Sequence, residues 1–257
     1  MNWKRQWIAF LTILHKEVTR FLRIWQQALI PPAITTMLYF IIFGNLIGPR
    51  IGEMGGHSYM EFIVPGLILM SVITSAYANV SSSFFSAKFQ RSVEELLVSP
   101  VPNSIILLGY IGGGILRGLL VGLVVTLVSL FFSDVSIHNI WIMLSISTLT
   151  ATLFSLGGFL NGMFARKFDD VTIIPNFVLT PLTYLGGVFY SISLLPEFWQ
   201  WVSHANPILY MINAFRFGFL GISDISLPAS FVLIILFCVV LFAYNLYLLN
   251  RGFGIRQ

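Results

Sequence analysis

Six apolar runs, at about residues 28–48, 62–84, 105–132, 139–164, 171–190 and 229–249, take up most of this chain and leave mainly short polar stretches between them. A helix needs about 20 apolar residues to cross a hydrocarbon core of about 30 Å. In lipid, every backbone N–H and C=O must also be bonded within the segment. The pattern therefore predicts an all-α polytopic membrane protein with six transmembrane helices. A soluble bundle is excluded by composition, because 9% of the 257 residues are charged where a soluble domain carries roughly 25%. No stretch reads as a separate soluble domain, so residues 1–257 form a single transmembrane domain.

Residues 3–27 precede the first run and differ from it. Trp3, Trp7, Phe10, Leu11, Leu14, Val18, Phe21, Leu22 and Trp25 recur at helical steps, while Lys16, Arg20, Arg23 and Gln27 form a second, cationic stripe. A helix with a basic face and a Trp/Phe/Leu face lies in the membrane interface. The same pattern serves a helix packed on its neighbours, and the two roles are compatible. The segment lacks the compact apolar core and cleavage site of a signal peptide, so it is expected to remain in the mature chain.

Charge sets the orientation. With a cytoplasmic N-terminus, the inner segments hold Lys4, Arg5, Lys16, Arg20, Arg23, Lys88, Arg91, Arg166, Lys167, Arg251 and Arg256, eleven of the fourteen basic residues. Arg50 and Arg216 fall outside, and Arg117 lies within a run. Lys and Arg accumulate on the cytoplasmic side, so both termini are expected there. This bias also accounts for the net charge of +4 without a nucleic-acid partner. Residues 191–228 are expected to form an outer hairpin. Its apolar part, 207–222, is too short for a seventh span and contains Asn213 and Arg216, so it reads as re-entrant. Phe198, Trp199, Trp201 and Tyr210 in this hairpin fit either an outer gate or an interfacial belt.

No catalytic or nucleotide-binding pattern is present. The four lysines are followed by Arg5, Glu17, Phe89 and Phe168, so none belongs to a phosphate-binding Gly-Lys-Ser/Thr loop. His15, His57, His138 and His204 are scattered, and Cys238 is the single cysteine. Neither a resident metal nor a cofactor is expected in this chain, nor enzyme activity of its own.

The informative polar stretch is 87–100, between runs two and three. Phe89, Val93, Leu96 and Leu97 fall on one face of a short helix, Lys88, Arg91, Glu94 and Glu95 take other positions, and Pro100 and Pro102 end it. Ser92 and Glu95 fit a capping box, which would start the helix as late as residue 93. Such a helix either docks in a groove of another protein or only turns the chain at the lipid surface.

This stretch, with Leu96-Leu97-Val98-Ser99-Pro100, resembles the coupling helix of the type 2 ATP-binding-cassette permeases. Gly186-Gly-Val-Phe-Tyr190, Leu195-Pro-Glu197, Asn206-Pro207, Arg216 and the closing Arg251-Gly-Phe-Gly-Ile-Arg256 are also similar to that family's pattern, in order over nearly the whole chain. One departure is Ser92-Val93, where many members have Gly-Thr. The resemblance implies the permease subunit of an ATP-driven exporter in a bacterial inner membrane. It implies two permease copies paired as a homodimer and two copies of a separate ABC ATPase subunit that holds the ATP and magnesium. It further implies that Phe89, Arg91, Glu94, Glu95 and Leu97 transmit the ATPase's closure. The alternative is a secondary transporter not driven by ATP, but no Asp or Glu lies centrally in a run to couple an ion.

Pro175, Pro181 and Gly186-Gly187 interrupt the fifth run, and broken backbone at membrane depth is tolerated where it lines a cavity or is buried in protein. Asn176, Thr180, Thr183 and Tyr184 lie among those breaks. With Tyr77, Asn79 and Ser81 of run two, they are candidates for the substrate path. The competing explanation is packing kinks with satisfied hydroxyls. Arg117 also has two explanations: a functional charge deep in run three, or, favoured here, a side chain one turn in that snorkels to the cytoplasmic surface from a helix broken at Gly112–Gly114.

Overall fold

The structure, a computed structural model, describes residues 2–134 and 137–253. Arg256 and the end of the tail motif lie outside them. Apart from a two-stranded hairpin, Glu53–Met54 with His57–Ser58, the regular elements are helical. Gly55 and Gly56 turn that hairpin with φ of 60° and 81°, values that favour glycine.

Among the described residues, five helices are long and apolar enough to cross a membrane: Trp25–Ile51, Tyr59–Phe89, Asn103–Ser129, Ile140–Phe164 and Leu227–Arg251. The first is α2 (Trp25–Tyr39), a π-helical stretch and α3 (Gly48–Ile51) joined end to end. The others are α4, α6, α7 and α12. The expected fifth run, 171–190, takes a different form. It is built from α8 (Phe168–Ile174), a π-helical stretch Pro175–Leu179 and α9 (Thr180–Leu185). Pro175 and Pro181 lack the N–H that an unbroken ladder needs, and the chain leaves the helix at Gly186 and Gly187.

α4 is the axis of the bundle. Over its most apolar window 83% of the residues are buried, against 17% for Trp25–Ile51, so the first span is peripheral and α4 is enclosed. Between helices in lipid, close backbone approach replaces the hydrophobic drive, and small residues permit it. Gly158 of α7 lies directly on the Tyr77 carbonyl of α4, where a Cβ would overlap the backbone oxygen. The α6 glycines do not break their helix, which runs unbroken through Gly112–Gly114. Gly112 and Gly113 admit the N-terminal helix α1 (Trp3–Arg23) instead: a Cβ on Gly113 would stand 2.5 Å from Glu17 Cβ.

α1 (Trp3–Arg23) ends at a corner on Ile24, so Trp25–Gln27 belong to α2 rather than to the N-terminal helix. Ile13, Glu17 and Phe21 face the bundle, while Trp3, Trp7, Leu11 and Leu22 remain exposed. The cationic stripe is therefore split. Lys16 and Arg23 point outward, whereas Arg20 turns in to bond Glu17 and Asn79.

The hairpin before the last helix contains α10 (Glu197–His204) and α11 (Pro207–Leu220). Fourteen residues span only about 21 Å at 1.5 Å per residue, short of a crossing. Asn206 begins α11, accepting from the Ile208 N–H at 3.0 Å and donating to the Leu182 carbonyl at 2.6 Å. At the other end, Phe219 and Gly218 offer carbonyls to the N–H groups of His138 and Asn139, which precede α7.

Candidate coupling segment and membrane path

α4 continues to Phe89, and a separate helix α5 covers only Ser92–Val98. The segment 87–100 is thus two pieces joined at Arg91, whose φ of 59° is left-handed, and α5 begins close to the later of the two expected starts. That conformation costs a non-glycine residue about 1–2 kcal/mol. Because the reversal falls on Arg91, Ser92 is already helical. Its hydroxyl donates back to the Ala87 carbonyl at 3.1 Å, so the expected capping box does not form.

The turn separates the five residues singled out for coupling. Phe89, on the end of α4, is 65% exposed, and Arg91, Glu94 and Glu95 are exposed around α5. Leu97 is half-buried beside Leu96 and Val101, packed on the cluster that buries Val93. Val98 extends outward instead, 87% exposed. It lies off the face that Val93, Leu96 and Leu97 share on α5.

This tip stands on a braced foot. Lys88 Nζ donates to the carbonyls of Met163 at 2.7 Å and Ala165 at 2.6 Å. A cation at a helix C-terminus satisfies orphan carbonyls and the helix dipole together, and here it ties the segment to the end of α7. Phe168 meets Phe85 and Phe89 edge to face at centroid distances of 4.9 and 5.2 Å. Beside it, Asp170 Oδ2 accepts from the backbone N–H groups of Arg166 at 2.8 Å and Lys167 at 3.0 Å. These hydrogen bonds hold the Asp170 carboxyl below the usual carboxylate range.

A second polar site sits where α1 meets α4 and α6. Glu17 is fully buried. Its Oε1 accepts from Ser83 Oγ at 2.7 Å and its Oε2 from Arg20 Nη2 at 3.2 Å. Arg20 Nη2 also donates to the backbone oxygen of Asn79 at 2.9 Å and to its Oδ1 at 2.8 Å. Arg117 Nη1 reaches the same Oδ1 at 3.5 Å. The helix that carries Arg117 is therefore unbroken, where a break at Gly112–Gly114 was expected, and the side chain meets Asn79. The signal for this site was visible but unused: Glu17 is the one acid in a basic helix.

The candidate path residues separate into three groups. Tyr77 lines an apolar cavity of about 440 Å³ with Phe154, Asn161, Leu179, Ile208 and Leu241. Asn79 faces α1 and Arg20 instead, and Ser81 is buried with its backbone oxygen against Gly162. On the broken helix, the Thr180 and Thr183 hydroxyls donate to the carbonyls of Pro175 and Leu179, as packing kinks require. Asn176 is exposed, and Tyr184 is part-exposed with its hydroxyl 2.7 Å from that of Tyr39. Arg216 anchors the hairpin. Fully buried, it stacks on the Phe62 ring at 3.9 Å and donates to the Gly187 carbonyl at 2.6 Å.

Five apolar crossing helices, a broken sixth apolar element and a charged tip braced on the helix ends define a polytopic helical membrane protein. The chain belongs to the ABC-2 type transporter family, whose sequence profile matches residues 8–220. It is 60% identical over 252 residues to the inner membrane transport permease YadH of Escherichia coli strain K12, covering 98% of both chains. It is also 24% identical over 234 residues to nodulation protein J of Sinorhizobium fredii, covering 88% of both.

Proposed function

We propose that this chain is the permease subunit of an ATP-driven exporter in the bacterial inner membrane. It would pair with a second copy of itself and be driven by two copies of a separate ATPase subunit. In this reading ATP and magnesium belong to the ATPase and the permease catalyses nothing. The broken segment over about 171–190 makes the fifth of six crossings, α1 lies along the cytoplasmic face, both termini are cytoplasmic, and α10–α11 form a re-entrant outer hairpin.

The observation that carries the reading is the α5 tip. It presents two carboxylates, a guanidinium and two apolar side chains on a foot braced by Lys88, and charged rims give such contacts their register. Phe89, Arg91, Glu94 and Glu95 meet the ATPase directly, with Leu97 supporting them from behind. The path runs along the broken helix, where Asn176 and Tyr184 face outward from the protomer toward its two-fold mate. Thr180, Thr183 and Tyr77 shape it from within, and Asn79 acts on it through α1. Against an ion-driven transporter, Glu17 is the only fully buried carboxylate among the described residues, and Arg20 already neutralises it.

The test is the double substitution Glu94→Ala and Glu95→Ala in the reconstituted complex. Insertion and the thermal midpoint should be unchanged, while transport-coupled ATPase activity falls several-fold. Unaltered coupling would refute the assignment.

A further inference from the structure

We infer that Arg20 and Arg117 form a binding site for a phosphate oxyanion, supplied by the headgroup of an anionic phospholipid of the inner leaflet. The charges are unbalanced. Two guanidinium groups converge on Asn79 Oδ1, at 2.8 and 3.5 Å, so their bonding nitrogens stand no further apart than those two lengths combined. One carboxylate, Glu17, serves the pair, and it bonds Arg20 and Ser83 only. The donors are unbalanced too: Arg20 Nε, Arg117 Nε and Asn79 Nδ2 are buried without a hydrogen-bond partner. Both arginine side chains nevertheless remain part-exposed.

Depth selects a lipid as the source. α1 carries exposed Trp3 and Trp7 beside exposed Lys4, Arg5, Lys16 and Arg23, the composition that rests at the headgroup level. From Asn79 to the start of α4 at Tyr59 is 20 residues, about 30 Å at 1.5 Å per residue, the full depth of a hydrocarbon core. The arginine pair therefore lies at the inner edge of that core. Arg117 is one turn beyond Gly113, which packs against Glu17 of α1, and so lies on the lipid side of α1 from an ATPase beneath. Basic pockets between transmembrane helices on the cytoplasmic side take anionic headgroups, and a guanidinium matches a phosphate with two parallel bonds.

The full chain, purified in a neutral maltoside, is titrated with phosphatidylglycerol or phosphatidylcholine while thermal unfolding is followed. Salt is held at about 0.5 M, where a Debye length of roughly 4 Å suppresses the exposed lysines. Phosphatidylglycerol should raise the midpoint several degrees beyond phosphatidylcholine. Arg117→Gln should abolish that difference, and Arg117→Lys should keep most of it. Equal midpoints with the two lipids, or the full difference persisting in Arg117→Gln, would overturn the site. Inorganic phosphate alone, matching the lipid's effect, would overturn the lipid source and leave a soluble anion site. Should Arg117→Gln fail to fold, native mass spectrometry of the wild-type chain decides: retained phosphatidylglycerol in preference to phosphatidylcholine supports the site, and no preference sinks it.

Discussion

Replacing Glu17 by Gln tests what holds α1 to the bundle. The substitution keeps shape and one acceptor oxygen but removes the charge that Ser83 and Arg20 bond at 2.7 and 3.2 Å. A hydrogen bond to a charged group contributes about 1.5–3 kcal/mol, and a neutral one about 1. Two such exchanges give a loss of about 2 kcal/mol. The Arg20 side chain is 29% exposed, so solvent screening discounts its share and about 1–2 kcal/mol remains. That is a factor of about 5–30 in an opening equilibrium. Hydrogen exchange of the full protein in lipid nanodiscs, read on peptides covering residues 10–23, should accelerate by that factor while peptides of α7 do not change. A cycle with Ser83→Ala should show about 1 kcal/mol of coupling. Exchange in α1 unchanged within a factor of two would mean that Ile13 and Phe21, not the ionic contact, dock the helix.

Lys88→Met should leave the carbonyls of Met163 and Ala165 unpaired, lowering stability by about 1–3 kcal/mol, read as a drop in the thermal midpoint, with Lys88→Arg partly restoring it. Asp170 gives a pH signature. Its carboxyl is depressed in the folded protein, so its contribution is complete above the ordinary carboxylate value and lost as pH falls through the lowered one. Exchange protection of the Arg166 and Lys167 amides should therefore be flat near neutrality and weaken in acid below the ordinary carboxylate range. In Asp170→Asn it should be independent of pH, and a wild-type profile equally flat into strong acid would refute the contact.

Apolar length is what the sequence states most openly, and Tyr59–Phe89, Asn103–Ser129, Ile140–Phe164 and Leu227–Arg251 lie close to the runs that predict them. The differences arise where one residue changes the geometry. A left-handed Arg91 divides the coupling segment, so Phe89 is exposed at the end of α4 while Val93, Leu96 and Leu97 share the covered face of α5 that their spacing gives. Periodicity counts on an unbroken helix and has no term for such a reversal. The glycines of α6 are compatible with either a break or a close approach, and only the position of α1 decides between them. Glu17 was concealed for a similar reason, because a polar residue on an amphipathic helix reads as solvent-facing until its partners on α4 and α6 are known. Along 171–190 the prolines signal the disruption, and the two threonine hydroxyls that turn back onto their own helix fit the packing-kink explanation that the sequence also offers.

The hydrogen bonds from His138 and Asn139 to Phe219 and Gly218 impose an order on biogenesis. These N–H groups emerge from the ribosome about eighty residues before their acceptors, a delay on the order of 4–16 s at about 5–20 residues per second. Throughout that interval the loop entering α7 is incomplete, and Arg216 has not yet been made to be buried against Phe62. A chain arrested after its fifth apolar segment would therefore leave the N–H groups of His138 and Asn139 without the carbonyls that take them up in the finished bundle. The last two helices close the bundle as well as extending it.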